Sequence, residues 1–173
     1  MWTLGRDREK EHARKFLGLS KDASLLEAVI DTVHDLIEGT ADPTAARAIF
    51  RRSFVEGAGG IWESTGSWLR KASHEFPHLT ILWDELLTDT SAATRFRAAA
   101  FAGELPEDVA RKHRPALLAD PSAKIRRKVA GDQHDTRWEW VLPLLAERRT
   151  IEADAKVIES LDFAIEAIRG RQS

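Results

Sequence analysis

Two stretches of the sequence, LLTDTSAATRFRAAA (residues 86–100) and LLADPSAKIRRKVAG (residues 117–131), lie 31 residues apart and share 7 of their 15 positions. In each stretch a pair of leucines ends one helical pattern. An aspartate and a serine follow, and their side-chain oxygens suit a turn and a helix N-terminus. Apolar residues then recur at helical spacing. The repeat therefore predicts two copies of one helical hairpin.

A single hairpin of this kind cannot bury both of its faces, so its copies are expected to stack and share a core. A looser match, ADPTAARAIFRR (residues 41–52), indicates an earlier unit, and VLPLLAERRT (residues 141–150) leads into a later one. Short polar turns between helices of this length favour antiparallel neighbours. The sequence therefore predicts an all-α fold of stacked antiparallel helical hairpins.

Apolar residues recur at three- and four-residue spacing along nearly the whole chain, and no alternating run indicates a strand. About ten helices are predicted. The second is expected to open at Ser24, because Ser24 and Glu27 have the spacing of a capping box. The others are expected at residues 6–17, 43–54, 61–73, 77–88, 91–104, 106–119, 122–131, 136–147 and 151–168.

The length of 173 residues predicts one domain over 1–173. Within it, residues 1–60 are expected to form an N-terminal helical cap or a degenerate repeat, and residues 77–169 the regular repeats. The chain has no cysteine, which excludes disulfides and thiolate chemistry. No apolar segment of membrane-spanning or signal-peptide character is visible, so a cytoplasmic location without a membrane partner is expected.

The repeated pattern resembles the HEAT-repeat family, in which an aspartate after the first helix precedes a small apolar residue and an arginine in the second helix. Asp120, Ile125 and Arg126 match this pattern, as do Asp89 and Arg95, with Thr94 in the apolar place. The resemblance covers residues 77–169 well and 24–57 poorly. The proline that the family carries early in the first helix is displaced here, to Pro115 and Pro143. The resemblance implies a divergent HEAT-like α-solenoid.

The charge is unevenly distributed, although the formal net charge is only -2. Residues 1–90 carry 11 basic and 15 acidic side chains, whereas residues 111–128 carry 7 basic and one acidic. At about 100° per residue, Ile125 and Val129 face the core and Lys124, Arg127 and Lys128 face outward. The basic segment is therefore a candidate surface for an electrostatic partner.

Arg126 lies at the margin of the buried side, so we interpret it as structural. Its expected partner is Asp120 or the equivalent Asp89 of the adjacent unit, as the resemblance to HEAT proteins implies, and Arg95 should behave likewise. Phe96 occupies the position that matches Arg127. It either packs against a neighbouring hairpin or serves as an interface anchor.

In RWEWVLPLL (residues 137–145), Trp138 is predicted to be core and Trp140 to be available for contact. The successive second helices would then line one surface that binds a partner. The alternative is that this surface is only a charged face in contact with solvent. The candidate partner-binding residues are Phe96, Arg97, Lys124, Arg127, Lys128, Arg137 and Trp140.

No catalytic residue, metal ligand or cofactor site is predicted. HEFPH (residues 74–78) fits the spacing of a zinc protease, but Pro77 disfavours the single helical turn that would bring His74 and His78 to one metal. Glu27, Asp31 and Asp35 share one face of the second helix, either as a solvated acidic stripe or as a partner surface.

The leading functional expectation is a non-enzymatic, bacterial protein-binding module that acts as an adaptor, a regulator or an immunity-type inhibitor. The alternative is nucleic-acid binding, including the base-excision role of DNA glycosylases built of HEAT-like repeats. In that case Trp140, Glu139 and the basic helix would have to converge on the nucleic acid.

Overall fold

The computed structural model describes residues 5–17, 21–132 and 138–171. This part of the chain contains α-helices and no strand, so the predicted all-α class is confirmed. Two short 3-10 segments, Pro77–Leu79 and Ala102–Glu104, precede α5 and α7. The ten helices are α1 (Arg6–Leu17), α2 (Lys21–Glu38), α3 (Pro43–Glu56), α4 (Gly59–Glu75), α5 (Thr80–Leu87), α6 (Ala92–Ala99), α7 (Glu107–Leu118), α8 (Ala123–Ala130), α9 (Val141–Ile151) and α10 (Ala155–Arg169).

Five helices begin two or more residues from the predicted starts: α2, α4, α5, α9 and α10, which start at Lys21, Gly59, Thr80, Val141 and Ala155. Helix α2 opens at Lys21, so Ser24 lies inside it and the predicted capping box is wrong. A serine and a glutamate three residues apart also share one face of a helix interior, and spacing alone does not separate the two cases. Helix α4 runs unbroken through the buried Gly66. Helix α9 opens at Val141, after a turn at residues 139–140.

The chain divides into two compact units, Met1–Leu82 and Trp83–Ser173. The prediction of one domain over 1–173 stays a prediction, as does the interpretation of residues 1–60. In the first unit α2 packs against α1, α3 and α4. Its buried core includes Leu25, Leu26, Ile30 and Ile61.

The acidic stripe on α2 is occupied by α1. Arg14 binds Glu27 at 2.7 Å and Lys10 binds Asp31 at 2.6 Å. Arg6, one further turn along α1, donates to Asp35 at 2.7 Å. These cations recur every four residues, which places them on one face of α1. The stripe is therefore a contact between α1 and α2 whose carboxylates stay partly exposed to solvent. Its use as a partner surface stays a prediction.

In the second unit, a helix packs against the next helix in the sequence and against the helix after that one. Helix α7 packs against α8, and α9 against α10, across connections of a few residues. Helix α8 also packs against both α6 and α10, and α7 packs against α9. The second helices of the predicted units therefore contact one another in series, α6 to α8 to α10.

An arginine joins each second helix to the following unit. Arg95 on α6 donates from Nε and Nη2 to the Asp120 carboxylate, at 2.8 and 3.2 Å. Its Nη1 donates to the carbonyl oxygens of Asp89 and Thr90, at 2.8 and 3.0 Å. One guanidinium thus closes the turn before its own helix and grips the turn of the next unit.

Arg126 on α8 repeats this geometry with the same nitrogens. Nε and Nη2 donate to the Glu152 carboxylate, both at 2.8 Å, and Nη1 donates to the carbonyl oxygens of Asp120 and Pro121. The structural role predicted for both arginines is confirmed. Arg95 binds Asp120, the equivalent aspartate of the adjacent unit, as predicted. For Arg126 the predicted carboxylate partner is wrong, because it binds Glu152 instead of Asp120 or Asp89.

The aspartates of the repeated stretch also shape their own turns. Asp89 Oδ1 accepts from the amide of Ser91 at 2.7 Å, and Asp120 Oδ1 accepts from that of Ser122 at 2.8 Å. The turn role predicted for both is confirmed. Of the two repeated serines, Ser91 caps its helix by accepting from the Thr94 amide, whereas the Ser122 side chain makes no cap hydrogen bond on α8.

Candidate functional site

Helix α8 presents the basic side of the second unit. Ile125 and Val129 are fully buried, while Lys124, Arg127 and Lys128 are exposed. The outward direction predicted from helical periodicity is therefore confirmed. The three cations lie within about one turn, since they are separated by three and four residues.

Buried polar contacts fix both ends of α8. Near its start, Arg126 holds the preceding turn, as described above. Near its end, the buried Arg114 of α7 donates from Nη1 to the Val129 carbonyl oxygen at 3.0 Å. Burial lowers the pKa of Arg114 to about 10, partly offset by attraction to Asp132. Arg114 therefore stays charged at neutral pH, and α8 presents its cations from a fixed position.

Most of the basic side chains of residues 111–128 are used within the chain. Three form ion pairs and one is buried: Arg111 with Glu107, Lys112 with Asp84, Arg126 with Glu152, and the buried Arg114. In the described part of the chain, the other three, Lys124, Arg127 and Lys128, have no carboxylate within ion-pair distance. The unpaired positive charge of the segment is thus concentrated on one side of α8.

These three cations line a single open depression, which we call the α8 depression. Its volume is about 370 Å³, and three successive second helices, α6, α8 and α10, contribute to it. Its lining consists of Phe96, Lys124, Arg127, Lys128, Gly131 and Ser160. Four of the seven candidate residues are therefore brought together, on the layer of second helices where the sequence predicts a surface.

Phe96 and Lys124 contact each other inside the α8 depression. The Lys124 Nζ lies 4.1 Å from the centre of the Phe96 ring, which is a cation–π distance. Phe96 is half-buried and lines the depression, so it lies on the surface of the second helices rather than in the core. The ring restrains the Lys124 ammonium over the depression.

The other candidate residues lie elsewhere. Arg97 on α6 is half-buried and does not line the α8 depression. Arg137 lies outside the described residues. Trp140 stacks on Trp138 with ring centres 5.5 Å apart, and Arg111 of α7 covers its ring at 4.6 Å. Trp140 is therefore engaged by a first helix, and Trp138 is half-buried rather than core.

The HEFPH segment does not form one helical turn. Helix α4 ends at Glu75, and Pro77 opens the 3-10 segment that contains His78. The break predicted at Pro77 is confirmed, and His74 and His78 lie on different elements. Across residues 5–17, 21–132 and 138–171, no three His, Asp or Glu side chains come together in a group that could hold a metal ion.

Gly131 and Ser160 are the lining residues that sequence reasoning missed. Gly131 ends α8, and Ser160 lies on α10 with its hydroxyl bonded to the Lys156 carbonyl oxygen. An added Cβ at Gly131 would lie 3.7 Å from the Ser160 side chain, so α10 approaches the end of α8 closely. Gly131 could have been noticed from the sequence, because it is the last residue of the repeated stretch. No local pattern marks Ser160.

Comparisons with known proteins found no match to this chain among protein-family models, curated proteins or solved structures. The likeness to HEAT repeats therefore rests on the residues quoted above. None of the helices in the described segments combines the length and apolar character needed to cross a bilayer.

Proposed function

We propose that this chain is a non-enzymatic binding module that grips an acidic segment of a protein partner in the α8 depression. One observation carries the proposal: Lys124, Arg127 and Lys128 lack carboxylate partners among the described residues and converge on one depression beside an aromatic ring. Charged rims of this kind steer and select partners of opposite charge. The Phe96 ring also lines the depression and adds apolar area to it where Lys124 leaves the ring uncovered.

A divergent HEAT-like array is the scaffold that we propose for this surface. The serial packing of α6, α8 and α10 supports it, as does the repeated geometry of Arg95 and Arg126. Stacked repeats commonly bind partners along one layer of helices. In this proposal the chain works in the bacterial cytoplasm as an adaptor, a regulator or an immunity-type inhibitor, since each role needs a rigid surface and no catalytic group.

The α8 depression could also receive the phosphates of a nucleic acid, which is the second candidate function. Two observations favour a protein. The face of Phe96 is covered by Lys124, so a base would have to displace the lysine in order to stack there. Trp140, which the glycosylase hypothesis requires near the basic helix, is stacked on Trp138 and covered by Arg111.

Charge reversal in the depression should abolish partner capture. The double variant Arg127→Glu/Lys128→Glu replaces two unpaired cations with anions that repel an acidic segment. We expect at least about a tenfold loss of affinity, which corresponds to about 1.4 kcal/mol. The measurement is affinity capture from an extract of the source cells, followed by titration of the captured protein against wild type and variant.

Lys71→Glu is the matched control, because Lys71 is exposed on α4 and has no ion pair in the described chain. It should capture the partner as wild type does. Equal capture by Arg127→Glu/Lys128→Glu would overturn the proposal. If the protein binds a DNA fragment in a salt-sensitive way and the same variant abolishes that binding, the depression is instead a site for nucleic acid, the second candidate function.

A further inference from the structure

Helix α10 carries an exposed phenylalanine between two glutamates. Phe163 is 55% exposed, and Glu159 and Glu166 are exposed one turn to either side of it. Positions 159, 163 and 166 lie within about 60° of one another around the helix. Val157 and Leu161 are buried on the opposite side. We call Glu159, Phe163 and Glu166 the α10 stripe.

The α10 stripe is unpartnered within the described residues. Neither Glu159 nor Glu166 lies within ion-pair distance of a cation there, whereas Asp162 on the same helix binds Arg149 at 2.6 Å. Among the large hydrophobic side chains exposed in this part of the chain, Phe163 is the only aromatic one. Exposed aromatic side chains with charged rims are typical of interface centres.

The α10 stripe and the α8 depression are complementary in charge. The stripe places one carboxylate on each side of an aromatic ring, about 10 Å apart along the helix. The depression is lined by three cations and by the Phe96 ring, and its volume is about 370 Å³. The depression is open to solvent rather than an enclosed pocket, so an aromatic side chain of another copy can enter it. The glutamates that flank Phe163 would then meet unpaired cations.

We propose that the α10 stripe of one copy docks into the α8 depression of a second copy. This inference rests on the proposed function, because it names an acidic segment for the same depression. The depression and the α10 stripe are adjacent on α10, because Ser160, which lines the depression, lies about 60° around the helix from Phe163 and about 100° from Glu159. Two different patches meet at the joint, so two copies either pair reciprocally across a two-fold axis or associate head to tail, and both arrangements need both patches.

Two variants that each remove one side of the joint test this arrangement. Arg127→Glu/Lys128→Glu reverses two charges of the α8 depression and leaves the α10 stripe unchanged. Glu159→Gln/Phe163→Ala removes one carboxylate and the aromatic ring of the stripe and leaves the depression unchanged. By sedimentation equilibrium at low salt, the mean mass of wild type should rise with concentration to that of a dimer or beyond. Each variant alone should be a monomer. An equimolar mixture should form a dimer and nothing larger, because only one joint is possible.

Glu147→Gln/Ile151→Ala is the matched control. It makes the same kinds of change at the same spacing, on exposed side chains of α9. It should assemble as wild type does. A monomeric wild type at all concentrations, or variants that do not combine in the mixture, would overturn the inference. The proposed function is tested separately. If wild type still captures another protein and Arg127→Glu/Lys128→Glu does not, the proposed function is supported even though self-association is not.

Discussion

Replacing Glu152 with glutamine should lower the free energy of unfolding by about 3–5 kcal/mol at neutral pH. The Glu152 side chain is only 1% exposed, and its carboxylate receives hydrogen bonds from Arg126 and Arg148 at 2.7–2.9 Å. The amides of Ala153 and Asp154 also donate to it. Glutamine keeps the shape but removes the charge, so two largely buried guanidinium groups lose their counter-ion.

Urea unfolding followed by circular dichroism measures this loss, and Asp162→Asn is the control. Asp162 also pairs with an arginine between α9 and α10, but both of those side chains are more than 40% exposed. Solvent screens such pairs strongly. We therefore expect no change outside the error of the measurement for Asp162→Asn. A loss for Glu152→Gln no larger than that of the control would contradict the contribution of the Glu152 contacts with Arg126 and Arg148 to stability.

The pH dependence of this difference has a definite sign. The hydrogen bond from Arg126 lowers the pKa of Glu152 far below its ordinary value of 4.5. A group whose pKa is lowered by folding contributes stability that is fully present above its unfolded pKa and is lost as the pH falls through its folded pKa. The stability gap between wild type and Glu152→Gln should therefore be constant above about pH 5 and shrink below pH 4.5.

Gly103→Ala should destabilise the second unit by about 3 kcal/mol, through overpacking and the loss of a buried hydrogen bond. Gly103 is buried in the 3-10 segment, and its amide donates to the Asp132 carboxylate at 3.0 Å. A Cβ at this position would lie 2.6 Å from that carboxylate. Asp132 is itself buried and attracts Arg114, so it has little room to withdraw.

Gly60→Ala is the control for the Gly103 substitution, because a Cβ on this helical glycine meets nothing within 4 Å. It should raise stability by up to about 1 kcal/mol, since alanine loses less conformational entropy than glycine on folding. Both variants can be compared by urea unfolding under the same conditions. A Gly103→Ala variant as stable as wild type would show that Asp132 relaxes without cost.

The repeated stretch allowed much of the second unit to be predicted. Helical spacing correctly placed Ile125 and Val129 inside and Lys124, Arg127 and Lys128 outside. These predictions succeed because side-chain direction in a helix is set by local geometry. The structural role of Arg126 was also predictable. Helix geometry places it at the edge of the buried face, where a long cationic side chain needs a hydrogen-bond acceptor nearby.

The identity of that acceptor was not predictable. Asp120, the partner of Arg95, lies 31 residues after Asp89 and follows the repeat. Its counterpart beside Arg126 is Glu152, whose side chain is longer by one methylene group and which lies 32 residues after Asp120 instead of 31. The α2 stripe shows the same limit. Its carboxylates were read as solvated or partner-binding, yet they also pair with cations of α1. Residues far apart in the sequence meet only because particular helix faces pack together.

By itself the sequence determined the all-α class, the turns at Asp89 and Asp120, and which side of α8 is charged, because spacings of three and four residues fix directions within one helix. Only the tertiary structure decided which of those charges remain unpaired. It did so by placing Glu107, Asp84 and Glu152 beside their cations and leaving Lys124, Arg127 and Lys128 around one depression. The physical reason is that a charge is neutralised by whichever group packing brings within a few ångströms, and packing joins segments without regard to their separation along the chain.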